Sequence, residues 1–148
     1  MELVRCNKKK GSLVIEAAVS VMILSMTAAF IVNAHIESSR VINSRILNED
    51  ITRNIENIKR EIQYNVSKDE LKDIFKYNEL GLRYDKNFGN QILNKRINEL
   101  DKGKDILIKL ISKDEEGMKF EIKADVEQDG LYVKVDEEFE KSWWMDEN

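Results

Sequence analysis

At 148 residues the chain can build one modest domain. Its formal charge of −4, with Lys and Glu interleaved through the second half, argues against a phosphate-binding surface and so against nucleic acid as a direct partner. A single cysteine, Cys6, precludes an internal disulfide and a cysteine-based zinc site, and with no proline no long helix carries a proline kink.

Charge is unevenly placed. Residues 1–11 hold Arg5, Lys8, Lys9 and Lys10 against Glu2, a net +3, which leaves −7 for everything after Gly11 out of the overall −4. Leu13 to Ala34 follows, LVIEAAVSVMILSMTAAFIVNA, with 17 apolar residues in 22 and Glu16 as its one charge. As a helix it would reach about 33 Å, enough to cross a hydrocarbon layer of about 30 Å. Ser20, Ser25, Thr27 and Asn33 are scattered rather than gathered into a polar face, so the segment reads as a membrane span.

From His35 onward the pattern becomes amphipathic. Leu47, Ile51, Ile55, Ile58 and Ile62 fall on one helical face, with Glu49, Asp50, Arg53, Asn54, Glu56, Lys59 and Arg60 opposite. No Gly or Pro interrupts the stretch between Ser12 and Leu80, so the spacing predicts one helix from about Leu13 to Tyr64. Ser67 and Glu70 make a capping-box pattern ahead of Leu71, Ile74 and Phe75, which predicts a second helix. Gly81 and Gly89 mark looser chain, and Gln91 to Leu100 reads as a further short helix. The last third changes period. Ile106, Ile108 and Leu110 alternate with other residues; Met118, Phe120, Ile122, Ala124 and Val126 alternate with Lys119, Glu121, Lys123 and Asp125; and Leu131, Val133 and Val135 do the same. Glu116-Gly117 and Asp129-Gly130 between these runs are hairpin signals. The expected product is a three-stranded antiparallel meander with one apolar face, covered by the stripe from Leu47 to Ile62.

The run Lys8-Lys9-Lys10-Gly11-Ser12-Leu13-Val14-Ile15-Glu16, followed by an apolar stretch, resembles the N-terminal signature of type IV pilins and pseudopilins. The resemblance implies a basic leader (1–11) cut by a prepilin peptidase after Gly11, a mature chain beginning at Ser12, and Glu16 as its fifth residue. It implies a pilin-like α+β fold, in which a long N-terminal helix, membrane-spanning in its first half, packs on a small antiparallel β-sheet. The corresponding division is 12–34 for the membrane and assembly half, 35–65 for the amphipathic half and 66–148 for an extracytoplasmic head. By the same resemblance Glu16 pairs with the N-terminal amine of a neighbouring subunit, and the partners are the membrane, the peptidase and other pilin-like subunits. A first mature residue Ser12 in place of Phe, the missing stalk proline and the impossible C-terminal disulfide point to a minor subunit.

Physical reasons accompany each part. Lys8 to Lys10 hold the leader on the cytoplasmic side. Gly11 lacks a Cβ and can take an unusual backbone in a tight protease site. A carboxylate at the centre of a span costs about 2.5–3.5 kcal/mol, and less near its edge, where Glu16 lies. A buried carboxylate then needs a cation, and one axial stagger supplies it.

Two other readings fit the same segment. It could be a simple start-transfer anchor, holding an unprocessed interaction domain outside the cell. It could also be a secretory signal cut after Val32-Asn33-Ala34, although it is longer than the usual apolar region and carries an early Glu. His35, the only histidine, has no metal set around it. Trp143 and Trp144 read as packing or edge residues, and Asp136 to Glu140 as a solvated strand end. No Ser-His-Asp set, glycine-rich phosphate loop or His/Cys cluster occurs, so no enzyme activity and no cofactor is expected.

Overall fold

The computed structural model describes residues 2–114 and 117–146, with side chains from residue 13 onward except those of Trp143 and Asp146. The first helix, α1 (Glu2–Arg60), continues into a single π-helical turn (Glu61–Asn65). The chain divides into two compact units, Met1–Ile42 and Asn43–Asn148. The first unit is helical throughout its described residues, and every described side chain in it is exposed.

The second unit is the α+β part. After the π turn come α2 (Lys68–Ile74), β1 (Glu79–Leu82), α3 (Phe88–Asn94), a 3₁₀ turn (Ile97–Glu99), β2 (Ile106–Lys113), β3 (Gly117–Gln128), β4 (Leu131–Ser142) and a final 3₁₀ turn (Trp143–Asp146). The four strands form one antiparallel sheet in sequence order. Ile51, Ile55, Ile58 and Ile62 of α1 and its π turn are fully buried with Ile106, Ile108, Phe120, Ile122 and Ala124 of the sheet, and Leu47 packs at the margin. The period-3.6 stripe and the period-2 face therefore cover each other, as their sequence patterns require.

Local signals act where they were read. Ser67 Oγ accepts from the Glu70 amide at 3.3 Å, and Glu70 Oε2 accepts from the Ser67 amide at 3.3 Å, closing the capping box. Asp129 (φ 53°) and Gly130 (φ 73°) form the two-residue loop between Gln128 and Leu131, with both φ values positive as a primed hairpin turn demands. Glu116 of the other expected hairpin lies outside the described residues.

Three expectations are corrected. The sheet has four strands, not three: β1 joins as an edge through Leu80 and Leu82, both buried, paired to Ile108 and Ile106. Gly81 thus sits in a strand rather than in loose chain. Its missing Cβ leaves room for the Gly103 carbonyl, and the Gly103 amide donates to the Gly81 carbonyl at 3.2 Å. The stretch from Gln91 to Leu100 is two pieces, α3 and the 3₁₀ turn, broken at Lys95 and Arg96, whose backbones are extended. Finally, Asn54 is buried, at 2% exposure, although it falls among the polar residues of α1.

Asn54 and its neighbours show how polar atoms enter this core. Asn54 Nδ2 donates to Asp50 Oδ2 at 3.2 Å, and the Tyr84 hydroxyl donates to the same oxygen at 2.6 Å. The Tyr84 amide donates to Asp105 Oδ2 at 2.9 Å, so one residue is tied to both α1 and the start of β2. Burial, and then the Asp50 carboxylate, push the Tyr84 phenol well above its usual range. At the far end of the helix, Gln63 Nε2 donates to the Glu140 carbonyl at 2.8 Å, while Lys141 Nζ donates to the Gln63 carbonyl at 2.7 Å. This reciprocal pair locks the π turn onto β4 and satisfies one of the carbonyls a helix end leaves open.

Candidate functional site

The strongest functional signal in the sequence is the apolar part of α1, and its geometry is simple. Leu13 to Ala34 forms continuous helix, and one helix near the N-terminus is long and apolar enough to cross a membrane. None of its apolar side chains is covered by the chain; Phe30, at 80% exposure, is the extreme. Its hydroxyl groups turn inward on their own backbone. Ser20 Oγ donates to the Glu16 carbonyl at 2.8 Å, Ser25 Oγ to the Val21 carbonyl at 2.8 Å, and Thr27 Oγ1 to the Ile23 and Leu24 carbonyls at 3.1 and 2.9 Å. Such back-bonding lets a hydroxyl sit in an apolar surrounding without an unmet donor.

Glu16 is the exception. Its carboxyl group has no cationic group within 4 Å among the described residues, and it is the sole ionisable side chain of this stretch. It shares a helix face with Ser20 and Thr27, at i, i+4 and i+11, while Ser25, at i+9, falls on the opposite face. The other residues singled out at the N-terminus, Lys8, Lys9, Lys10, Gly11 and Ser12, have side chains or surroundings outside the described residues. His35 is exposed on α1, and among the described residues no group of three or more His, Cys, Asp or Glu comes together in a metal-binding arrangement.

No family model, curated protein or solved structure matches this chain. The site must therefore be read from its own residues.

In the second unit the sequence reading missed the inward charges of β4. Register places Val133, Val135, Glu137, Phe139 and Lys141 on the inner face, opposite Val126, Ala124, Ile122, Phe120 and Met118. Glu137 accepts from Lys59 Nζ at 2.9 Å, and Lys59 also donates to Glu56 at 2.7 Å. Those bonds, that to Glu56 foremost, hold the Lys59 ammonium above its usual range. Glu137 is thus no solvated strand end. The alternation itself carried the signal, since Glu137 and Lys141 sit two and eight positions after Val135 and Val133 on the same face. Charges turned inward on an edge strand also blunt it against unplanned strand pairing. The outer face is laced with ion pairs, Lys119 with Glu138 at 2.6 Å and Lys123 with Glu121 at 2.6 Å. It offers no grouping of nucleophile, base and orienting partner.

Proposed function

We propose that this chain is a pilin-like structural subunit, a minor one, of a type IV pilus or related pseudopilus. In this reading a prepilin peptidase cuts after Gly11 on the cytoplasmic side, and the 12–34 segment stays in the membrane until assembly. Glu16 then finds the newly exposed amine of Ser12 on a neighbouring subunit. The chain performs no catalysis and carries no cofactor; it serves secretion, competence, adhesion or motility as a building block.

One observation carries the reading: an apolar helical segment, uncovered along its whole length, holds a single carboxylate one turn from a Lys-Lys-Lys-Gly junction. Lipid or sister helices can cover the apolar residues, but only a cation satisfies the carboxylate. The second unit supports the reading from the other side. Its helix-on-sheet core is complete without the 13–42 segment, which leaves that segment free for membrane and assembly. The same self-sufficient core also suits a single-pass anchored interaction domain, the competing reading.

Sequencing the mature N-terminus separates the readings. A start at Ser12 when the peptidase is present is the expected result. An intact Met1 would establish the anchor instead, and a start at His35 ordinary secretion. Glu16→Ala should insert and be processed normally, yet its incorporation into assembled material should fall by about tenfold or more, as expected when a desolvated charge pair loses one member. Normal incorporation of the substituted chain removes the role given to Glu16.

A further inference from the structure

The sheet has two edges, and the chain treats them differently. β1 is short, and residues 101–103 lie along it: the Gly103 amide donates to the Gly81 carbonyl at 3.2 Å, and the Arg83 amide to the Asp101 carbonyl at 2.8 Å. β4 runs 12 residues, about twice the usual strand, and pairs with β3 without a bulge. It contains neither proline nor glycine. Gln128 and Leu131 close the two-residue loop as a hydrogen-bonded pair, so the backbone groups of Tyr132, Lys134, Asp136, Glu138 and Glu140 turn away from β3. Of these, only the Glu140 carbonyl meets a partner among the described residues, Gln63 Nε2 at 2.8 Å. All are exposed.

A strand edge open over this length is a template for another strand. A second copy cannot offer β1, which its own residues 101–103 occupy, so it offers β4. The charges then select a register. Asp136 is held loosely, by Lys123 of β3 at 3.6 Å. Lys134 has no ion-pair partner within 4 Å among the described residues, and Asp125, opposite it on β3, faces the Tyr132 hydroxyl. In an antiparallel pair centred on Val135, Lys134 of each copy lies opposite Asp136 of the other, and Tyr132 opposite Glu138. Sliding the centre to Lys134 or Asp136 sets that residue against itself, and centring on Glu137 sets Asp136 against Glu138. The Val135 register also ends before Glu140 and the inward Lys141, so both keep their bonds to Gln63, and Glu137 keeps Lys59.

We infer that β4 of one copy pairs antiparallel with β4 of a second copy about a two-fold axis at Val135, joining their sheets edge to edge. The contact is isologous and closes on itself, so it makes pairs rather than filaments. It supplies about eight backbone hydrogen bonds, two at each hydrogen-bonded residue pair, and a Lys134–Asp136 contact on each side of the axis. An axis normal to the sheet runs the packed stretches of the two α1 helices in opposite directions. The contact is therefore distinct from side-by-side packing of sister helices and goes beyond the proposed function: it uses the second unit alone and does not require leader removal.

Oxidative crosslinking of the full chain in detergent micelles tests it, with Cys6, the only cysteine, replaced by Ser. Val135→Cys sets the two thiols on the axis, at a non-hydrogen-bonded pair whose Cα atoms lie about 4.5 Å apart, within disulfide reach. The expected product is a disulfide-linked dimer. Glu138→Cys, whose thiols would stand about 20 Å apart across the axis, should stay monomeric. Lys134→Glu added to Val135→Cys should lower the dimer yield by about tenfold, and Asp136→Lys added to that chain should restore it. Both residues are exposed, so the thermal melt should not move. Amide exchange of the unsubstituted chain gives a second reading: the Lys134 and Asp136 amides should gain protection as protein concentration rises. Equal dimer yield from Glu138→Cys, a yield indifferent to the charge changes, or edge amides whose exchange ignores concentration would each overturn the inference. An intact Met1 together with the expected dimer would sink the pilin-like reading and leave this contact standing.

Discussion

Ile23 and Ile31 in the first unit, and Ile51, Ile55 and Ile58 in the second, belong to one helix, yet the first two are exposed and the last three are buried. Hydropathy alone does not separate them; what separates them is whether the chain supplies a cover. Around Ile51, Ile55 and Ile58 it does, with an alternating sheet face and the rings of Phe75, Phe88 and Phe120. Burying each such side chain contributes about 1.5–3 kcal/mol, which the chain collects for itself in the second unit. In the first unit no side chain of the second unit supplies that cover, and in the proposed function a membrane or sister helices would. A segment that cannot be stable in water by its own contacts is a statement about its surroundings, and this is the physical content of the functional reading.

The comparison is tested most severely by paired truncations. Phe120→Ala, at a fully buried position stacked on Phe139, should destabilise the second unit by about 3–5 kcal/mol, read as a fall in the midpoint of denaturant unfolding. Phe30→Ala removes a ring of the same size from the exposed segment and should move that midpoint by less than about 0.5 kcal/mol, while weakening partition into vesicles. A large stability loss from Phe30→Ala would mean the first unit contributes to the folded core after all, and the contrast would collapse.

A smaller effect probes β1, the element that sequence reading did not find. Four residues, Glu79 to Leu82, are too few to display a period, and Gly81 in their midst argues for a turn. What makes them a strand is a contact far along the chain: Gly81 lies so close to the Gly103 carbonyl that it has no room for a Cβ, and Arg83 leaves none at Gly103. Gly81→Ala should therefore cost about 1–3 kcal/mol and loosen amide protection across Leu80–Leu82, through overpacking rather than any lost interaction. Unchanged protection would show that the approach of the two glycines is not required.

The rest of the fold divides along the same line between local and long-range causes. The capping box of Ser67 and Glu70, the Asp129-Gly130 turn and the two periodic patterns are set by residues a few positions apart, so they were legible in the sequence. Asn54, Tyr84 and the partner of Lys141 were not, because each is set by a residue far away in the chain. Tyr84 meets Asp50 across 34 residues, and Lys141 meets Gln63 across 78. Asn54 and Asp50 fall on the polar side of α1 in any helical projection, and nothing local announces that α3 will cover that side, with Gly89 close against the Asn54 amide. For the functional site the order is reversed. The proposal for Glu16 and the basic junction rests on spacing along the chain, which the sequence displays, whereas the bond of Lys59 to Glu137 joins α1 to β4 across 78 residues that no pattern connects.

The subtlest of these long-range placements makes the smallest and most specific prediction. The Tyr84 hydroxyl donates to Asp50, so it must keep its proton for the bond to exist. In the unfolded chain the phenol ionises near its ordinary value of 10.0, whereas in the folded chain burial and the Asp50 carboxylate hold it protonated to higher pH. Below pH 10 both states carry the proton, and the bond's contribution is fully present. As pH rises above 10 the unfolded state releases its proton first, so stability falls with increasing pH until the folded phenol also ionises. Tyr84→Phe should cost about 0.5–1.5 kcal/mol at neutral pH and flatten the alkaline decline in stability relative to the parent chain. Asp50 keeps the Asn54 amide as a donor in that variant, so the loss should stay at the small end of what a buried hydrogen bond can cost. An equal alkaline slope in the two proteins, measured by denaturant unfolding between about pH 9 and 11, would place the titration on other groups and remove Tyr84 from the account.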